Sequence, residues 1–298
     1  MADKNLKPYK TPERGAFNLR AGALHSREDV LIVAGMVRLD DEHTAHSIIL
    51  RWNGTLPWHG IALNWSSASC CAMAEPRRRF CLLGIDGEFG TLHDNELGES
   101  RVAGKSLYAV TAVGRSTYAV GAAGQILRSE DGRSWENLNP ARQAKAGLLE
   151  GVAAYTPEEV YAVGADGAIV LLTPTKAERI DSPTNLVLSE ICRGPDDLLY
   201  ACGQKGLVLR GRKHEWTVIE HDETKEDLWS ICTFQGRVFL ASTHFLYELK
   251  GDKLEEIRFE HDPPRTFCKL RSAGDDTLLS VGQRDAFLFD GRGWSRLI

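Results

Sequence analysis

The chain has no uninterrupted apolar run close to the roughly 20 residues that span a bilayer. Its first residues, MADKNLKPYKTPERGAF, lack the apolar core of a secretory leader. Both absences predict a cytoplasmic protein without membrane contact. Positive charge is also short. The 298 residues hold 36 Lys and Arg against 41 Asp and Glu, a net charge of −5. That argues against general nucleic-acid binding, which needs cations to replace the counterions of phosphate. Paired metal-ligand spacing is missing too. Seven cysteines occur (Cys70, Cys71, Cys81, Cys192, Cys202, Cys232 and Cys268), with no Cys-x-x-Cys among them. Most sit inside apolar runs and read as reduced, buried thiols. There is no phosphate-binding loop, no His-Glu-x-x-His, no serine elbow and no Gly-x-Gly-x-x-Gly. No catalytic residue, cofactor or metal is therefore expected. No long stretch keeps a helical period; residues 140–150 come nearest, with room for one short turn.

What the chain does have is repetition. TYAVGAAGQILRS from Thr117, VYAVGADGAIVLL from Val160 and LYACGQKGLVLRG from Leu199 share one pattern. An apolar run leads to Gly-x-x-Gly, and a second apolar run follows. Weaker copies begin at Leu31, Phe80, Val238 and Leu278. The aligned positions are Gly35, Gly84, Gly121, Gly164, Gly203, Ser242 and Gly282, spaced by 49, 37, 43, 39, 39 and 40 residues. Each unit reads as four short strands rich in β-branched, aromatic and leucine residues. Around Gly203 they are LVLSEICRG, LLYACG, LVLRG and EWTVIE, labelled a to d. The paired glycines are expected to supply positive φ in a tight b–c hairpin. Such a unit cannot bury its apolar faces alone, so copies must stack. The prediction is all-β: a seven-bladed β-propeller of four-stranded antiparallel blades, with six or eight as the range. Residues 1–15 form an N-terminal extension and 16–298 a single domain. The last unit holds all four of its strands, so ring closure is expected by packing, with residues 1–14 free to add an edge strand.

One turn between strands c and d reads SEDGRSW, with Ser129, Asp131, Gly132, Ser134 and Trp135. It resembles the Asp-box of the bacterial neuraminidase repeat, one residue short of the usual spacing. RWNGTLPW from Arg51 and FDGRGW from Phe289 are degenerate echoes, and GRKHEW from Gly211 keeps the tryptophan. The whole chain is similar to YVTN and neuraminidase-repeat propellers, photosystem-assembly propellers included. The resemblance implies a structural role for Ser129, Asp131, Gly132 and Trp135: carboxylate to turn amides, tryptophan between blades. It implies little about activity, because propellers host many functions. No sialidase-like arginine triad can be placed on the strand starts. Sugar binding and an assembly-factor scaffold remain alternatives.

In a propeller the d–a and b–c loops share one face. EHDETKED from Glu220 and EHDPPR from Glu260 are d–a loops 40 residues apart, one blade. The long b–c loop 36–47 of the first unit lies on the same side. Carboxylates gather there, so the face is expected to be acidic. Its candidate partner-binding residues are Asp40, Asp41, Glu42, His43, Glu220, His221, Asp222, Glu223, Asp227, Trp229, Glu260, His261 and Asp262. Phe267 and Pro263–Pro264 are further anchor candidates. Three readings compete: a solvated rim, a dock for a basic protein, and a metal site. Adjacent Glu, His and Asp side chains seldom aim at one point, which disfavours the metal. Charge of one sign steers encounter, which favours the dock. The chain also resembles stand-alone neuraminidase-repeat propellers of bacteria, some encoded beside secreted toxins as immunity proteins. That implies a basic toxin or effector as partner, met by a non-catalytic monomer.

Overall fold

The computed structural model describes residues 7–8, 17–36, 47–55, 58–102, 104, 106–139, 144–173, 176–259 and 261–298. They build seven antiparallel sheets over 17–63, 67–101, 107–137, 149–180, 188–218, 230–256 and 269–296, called blades 1 to 7. Each pairs its strands in chain order. In blade 5 these are a Leu188–Arg193, b Leu199–Gly203, c Val208–Arg212 and d Glu215–Val218, where the spacing of apolar runs predicts them. The seven a strands touch one another in sequence and around to the start, enclosing a central channel. They are Phe17–Ser26, Ser67–Met73, Leu107–Val113, Leu149–Thr156, Leu188–Arg193, Ser230–Phe234 and Lys269–Ala273. No α-helix forms among the described residues; three single turns of 3₁₀ helix cap b–c hairpins.

The two glycines of each Gly-x-x-Gly do different work. Gly203 is extended, with φ −172°, and carries no positive-φ strain. A Cβ there would lie 2.0 Å from the carbonyl oxygen of Val187, so close backbone approach requires glycine. Positive φ falls instead on Lys205 (57°) and Gly206 (77°). The expectation that both glycines serve the turn is thus corrected for the first of them.

The core lies between blades. Seven apolar clusters each join two neighbours, and the last joins blade 7 to blade 1. There Leu279, Val281 and Leu288 pack against Leu19, Val30 and Ile32, and the C-terminal Leu297 and Ile298 join them. Leu19 N–H donates to the Gln283 carbonyl at 2.7 Å across this seam. Among the described residues no strand is exchanged between blades 1 and 7, whose strands a to d each follow one another along the chain. Lys7–Pro8 adds a fifth, outer strand to blade 1 by pairing with His59–Gly60. Because Leu279 is fully buried in the cluster that packs across this seam, Leu279→Ala is expected to cost about 2–5 kcal/mol. Urea unfolding measures it; an unchanged midpoint would contradict closure by this cluster.

The SEDGRSW turn, residues 129–135, staples blade 3 to blade 2. Asp131 Oδ1 accepts the N–H groups of Arg133 and Ser134, both at 2.7 Å, and Gly132 N–H donates to Ser129 Oγ at 2.8 Å. The Ser134 and Arg133 amides hold the Asp131 carboxyl down to about 2. Trp135 meets Phe89 of blade 2 edge-on at 4.9 Å, and Ser100 of blade 2 donates to the Gly132 carbonyl at 2.6 Å. Asp290 repeats the turn in blade 7, taking the amides of Arg292 and Gly293 at 2.9 Å.

Candidate protein-docking face

The b–c hairpins and d–a loops interlock on one side of the ring. Gln204 N–H donates to Val187 O at 3.0 Å, Leu228 N–H to Gly203 O at 2.9 Å, and Lys205 N–H to Asp227 Oδ1 at 2.8 Å. Asp227 is thereby a loop fastener. His221 is another: its side chain is only 3% exposed, and Nε2–H donates to the Gly206 carbonyl at 2.7 Å. Its Nδ1 lies 3.3 Å from Glu223 Oε2. His221→Ala removes a buried hydrogen bond and is expected to cost about 1–2 kcal/mol. Amide hydrogen exchange should quicken across 203–228 and nowhere else.

The two Glu-His-Asp copies sit one blade apart and have different surroundings. Glu220 and Asp222 are exposed, and no cation among the described residues pairs with either. Asp262 is held by both arms of the Arg296 guanidinium, with Nη2 to Oδ1 at 2.9 Å. Arg296 keeps the Asp262 carboxyl below the usual range. His221 is buried, whereas His261 is exposed. The first trio therefore spreads its side chains, with His221 turned in and Glu220 and Asp222 turned out. Among the described residues no three His, Cys, Asp or Glu groups gather as metal ligands. Asp40, Asp41, Glu42, His43 and Glu260 lie outside the described residues.

Charge on this face is mixed. Lys205, Lys225, Arg258, Arg265 and Arg284 are exposed beside the acidic loops. Asp285 is buried and accepts the Arg265 N–H at 2.9 Å. Glu226 is half-buried and lies 3.1 Å from His244 Nδ1. Burial opposes its ionisation, but Ser242 and His244 outweigh it and hold the carboxyl low. Unpaired negative charge is thus concentrated at Glu220 and Asp222, next to Glu223, which lies against His221. Phe267 belongs to the core between blades 6 and 7 and is no surface anchor.

Five a strands carry a β-bulge near their start, which leaves one residue per blade out of the pairing register. These residues are Arg20, Ala68, Tyr108, Glu150 and Ser189. Trp229 precedes strand a of blade 6 at the equivalent place, its N–H on the Ala241 carbonyl at 2.8 Å. Deeper in the channel lies a polar plug that the sequence did not reveal. Glu190 Oε1 is 2.6 Å from Arg271 Nη1, and Ser230 Oγ donates to Glu190 Oε2. Lys269 Nζ stands 3.9 Å from the same carboxylate. Burial penalises the Glu190 charge, yet Arg271, Lys269 and Ser230 together hold its carboxyl below the ordinary value. A charged residue within the apolar run LVLSEICRG was the available signal. Beyond the plug a recess of ≈ 540 Å³ opens toward the a–b turns, lined by Cys71, Thr111, Tyr155, Cys192 and Arg193. Burial pushes the Cys70 thiol up to about 12 and Cys232 up to about 11, so neither is a nucleophile at neutral pH.

The chain is 32% identical over 288 residues to the immune protein Tsi7 of Pseudomonas aeruginosa, covering 91% of this chain and 94% of that one. The chain belongs to the family of the immune protein Tsi7. No protein-family model matches it. This Tsi7-family chain shares its fold with more distant propellers. YCF48 from Cyanidioschyzon merolae superposes with a TM-score of 0.69 at 14% identity, over 95% of this chain and 98% of that one. The WD40 propeller domain of Doa1 superposes with a TM-score of 0.73 at 12% identity, over 96% and 97%. At such identities the likeness is one of fold alone. The Tsi7 relationship, in contrast, runs through nearly all of both chains.

Proposed function

We propose that this protein is a non-catalytic, cytoplasmic immunity protein that binds and neutralises a secreted bacterial toxin. The observation that carries the reading is the near full-length similarity to a protein named as an immune protein. The loop face supports it physically. Glu220 and Asp222 project unpaired negative charge, with Glu223 beside them against His221, from a loop pinned by His221, Asp227 and Leu228. A rigid, charged surface speeds encounter with an oppositely charged partner and loses little entropy on docking. The partner that fits is a basic toxin or effector, met by a monomer. A propeller of the same fold, YCF48, has been solved bound to D1 peptide, so such a ring has room to present a peptide-binding face. The test is affinity purification of the tagged protein from its native host, followed by a toxin-sensitivity assay in a deletion strain. A secreted toxin should copurify, and deletion should sensitise the cell. No complex at micromolar concentration, with normal sensitivity, would end this reading.

A further inference from the structure

Three large apolar side chains stand out as exposed among the described residues: Tyr108 at 41%, Trp229 at 39% and Phe245 at 38%. Two of them share the loop face of blade 6. A single exposed aromatic is ordinary, but neighbouring ones on a rigid rim mark contact sites. The indole N–H of Trp229 donates to Thr243 Oγ1 at 2.9 Å, which fixes the ring against the b–c hairpin 242–245 of its own blade. Phe245 lies in that hairpin, with its ring 6.4 Å from His244 and 6.1 Å from Tyr247. His244 in turn meets Glu226 of the d–a loop at 3.1 Å. Loop 220–229 and hairpin 242–245 therefore form one continuous, pre-organised surface. Two aromatic side chains on it are left to solvent.

The carboxylates beside it identify what fits. Glu220, Asp222 and Glu223 lie on the loop that leads to Trp229, where Lys225 is the single cation between Glu220 and Asp227, and Lys269 Nζ already donates to the Trp229 carbonyl at 3.4 Å. Aromatic faces attract guanidinium and ammonium groups, and unpaired carboxylates do so more strongly. Tyr108, at the equivalent ring position three blades away, has no such acidic loop beside it.

We propose that Trp229 and Phe245 are the anchor of the docking face, and that they receive a protein segment pairing an arginine or lysine with an apolar side chain. This rests on the protein-binding reading above and names the residues that carry it. The probe is a short fluorescein-labelled peptide of alternating arginine and leucine, with a glutamate-for-arginine peptide as its counterpart, followed by fluorescence anisotropy on the full chain. The arginine peptide should bind and the glutamate peptide should not. Trp229→Ala and Phe245→Ala should each weaken binding about tenfold, and Tyr108→Ala should leave it unchanged. Thermal melting of each variant should match the parent, which separates lost contact from lost fold. The proposal is overturned if the arginine peptide gives no signal up to millimolar concentration. It is also overturned if Tyr108→Ala weakens binding as much, or if light scattering shows self-association that Trp229→Ala disperses. The two readings fail separately. A toxin bound equally well by Trp229→Ala and Phe245→Ala would remove the anchor and keep the immunity role. Peptide binding through these rings without any copurifying toxin would do the reverse.

Discussion

Arg271→Ala is expected to destabilise the ring by about 3–5 kcal/mol at neutral pH. The loss comes less from the missing contact than from what remains. Glu190 is buried in the channel, and its carboxylate has Arg271 Nη1 at 2.6 Å as its nearest cation. Lys269 at 3.9 Å and the Ser230 hydroxyl are partial replacements only. Removing one partner of a buried pair strands the other charge in a poor solvent, which costs more than the pair contributes. Replacing both, as in Glu190→Gln with Arg271→Met, should therefore cost less than Arg271→Ala alone.

The pH dependence has a definite sign. In the parent protein the folded carboxyl of Glu190 is held below its ordinary 4.5. Its contribution is thus fully present above that value and is lost as pH falls through the lower, folded one. In Arg271→Ala burial dominates, so the folded value moves above the unfolded one. That variant should gain stability relative to the parent as the medium is acidified from neutrality. Urea unfolding at neutral and mildly acid pH measures both effects. An Arg271→Ala midpoint equal to the parent's at neutral pH would show that the plug contributes nothing.

The second large effect concerns encounter with the toxin. The triple reversal Glu220→Lys, Asp222→Lys and Glu223→Lys should keep the fold and slow association with a basic toxin by about 10–1000-fold. The salt dependence should change as well. Added salt slows the parent's association, because screening weakens attraction, and should speed the reversed variant's. Surface plasmon resonance across a salt series reads both. Asp262→Lys is a poorer test, since it breaks the clasp with Arg296, whose guanidinium also lies 4.5 Å above the Phe287 ring. A binding change there would mix surface charge with loosening of blade 7.

The repeat made the fold legible. Glycines at Gly121, Gly164 and Gly203 recur because the backbone that leads into strand a of the same blade crosses directly above each of them, leaving no room for a Cβ. The same constraint recurs at Gly282 in blade 7, so it survives where side chains diverge, and with the apolar runs its period fixes blade number and strand order. The faces of the loops followed from the same period. What sequence spacing did not carry was the pairing of charges. Glu190 and Arg271 meet across the channel from blades 5 and 7, and Asp262 meets Arg296 over most of a blade. Neither partner is marked by its own neighbours. The repeated Glu-His-Asp therefore looked uniform in sequence, while the surroundings give His221 a fastening role and leave His261 exposed. Phe245 was hidden for a similar reason: its hairpin lacks the glycine pair, so it read as a weak repeat copy rather than as an exposed ring.

The most direct measurement is the binding of the purified protein to the proposed toxin partner captured by copurification, by isothermal titration calorimetry. A one-to-one complex that inhibits the toxin, and that the triple reversal at Glu220, Asp222 and Glu223 weakens without lowering the melting temperature, is the predicted result. A toxin bound with equal affinity by the reversed protein would contradict the assignment of the acidic loop face. No heat of binding at micromolar concentration would contradict the immunity role itself.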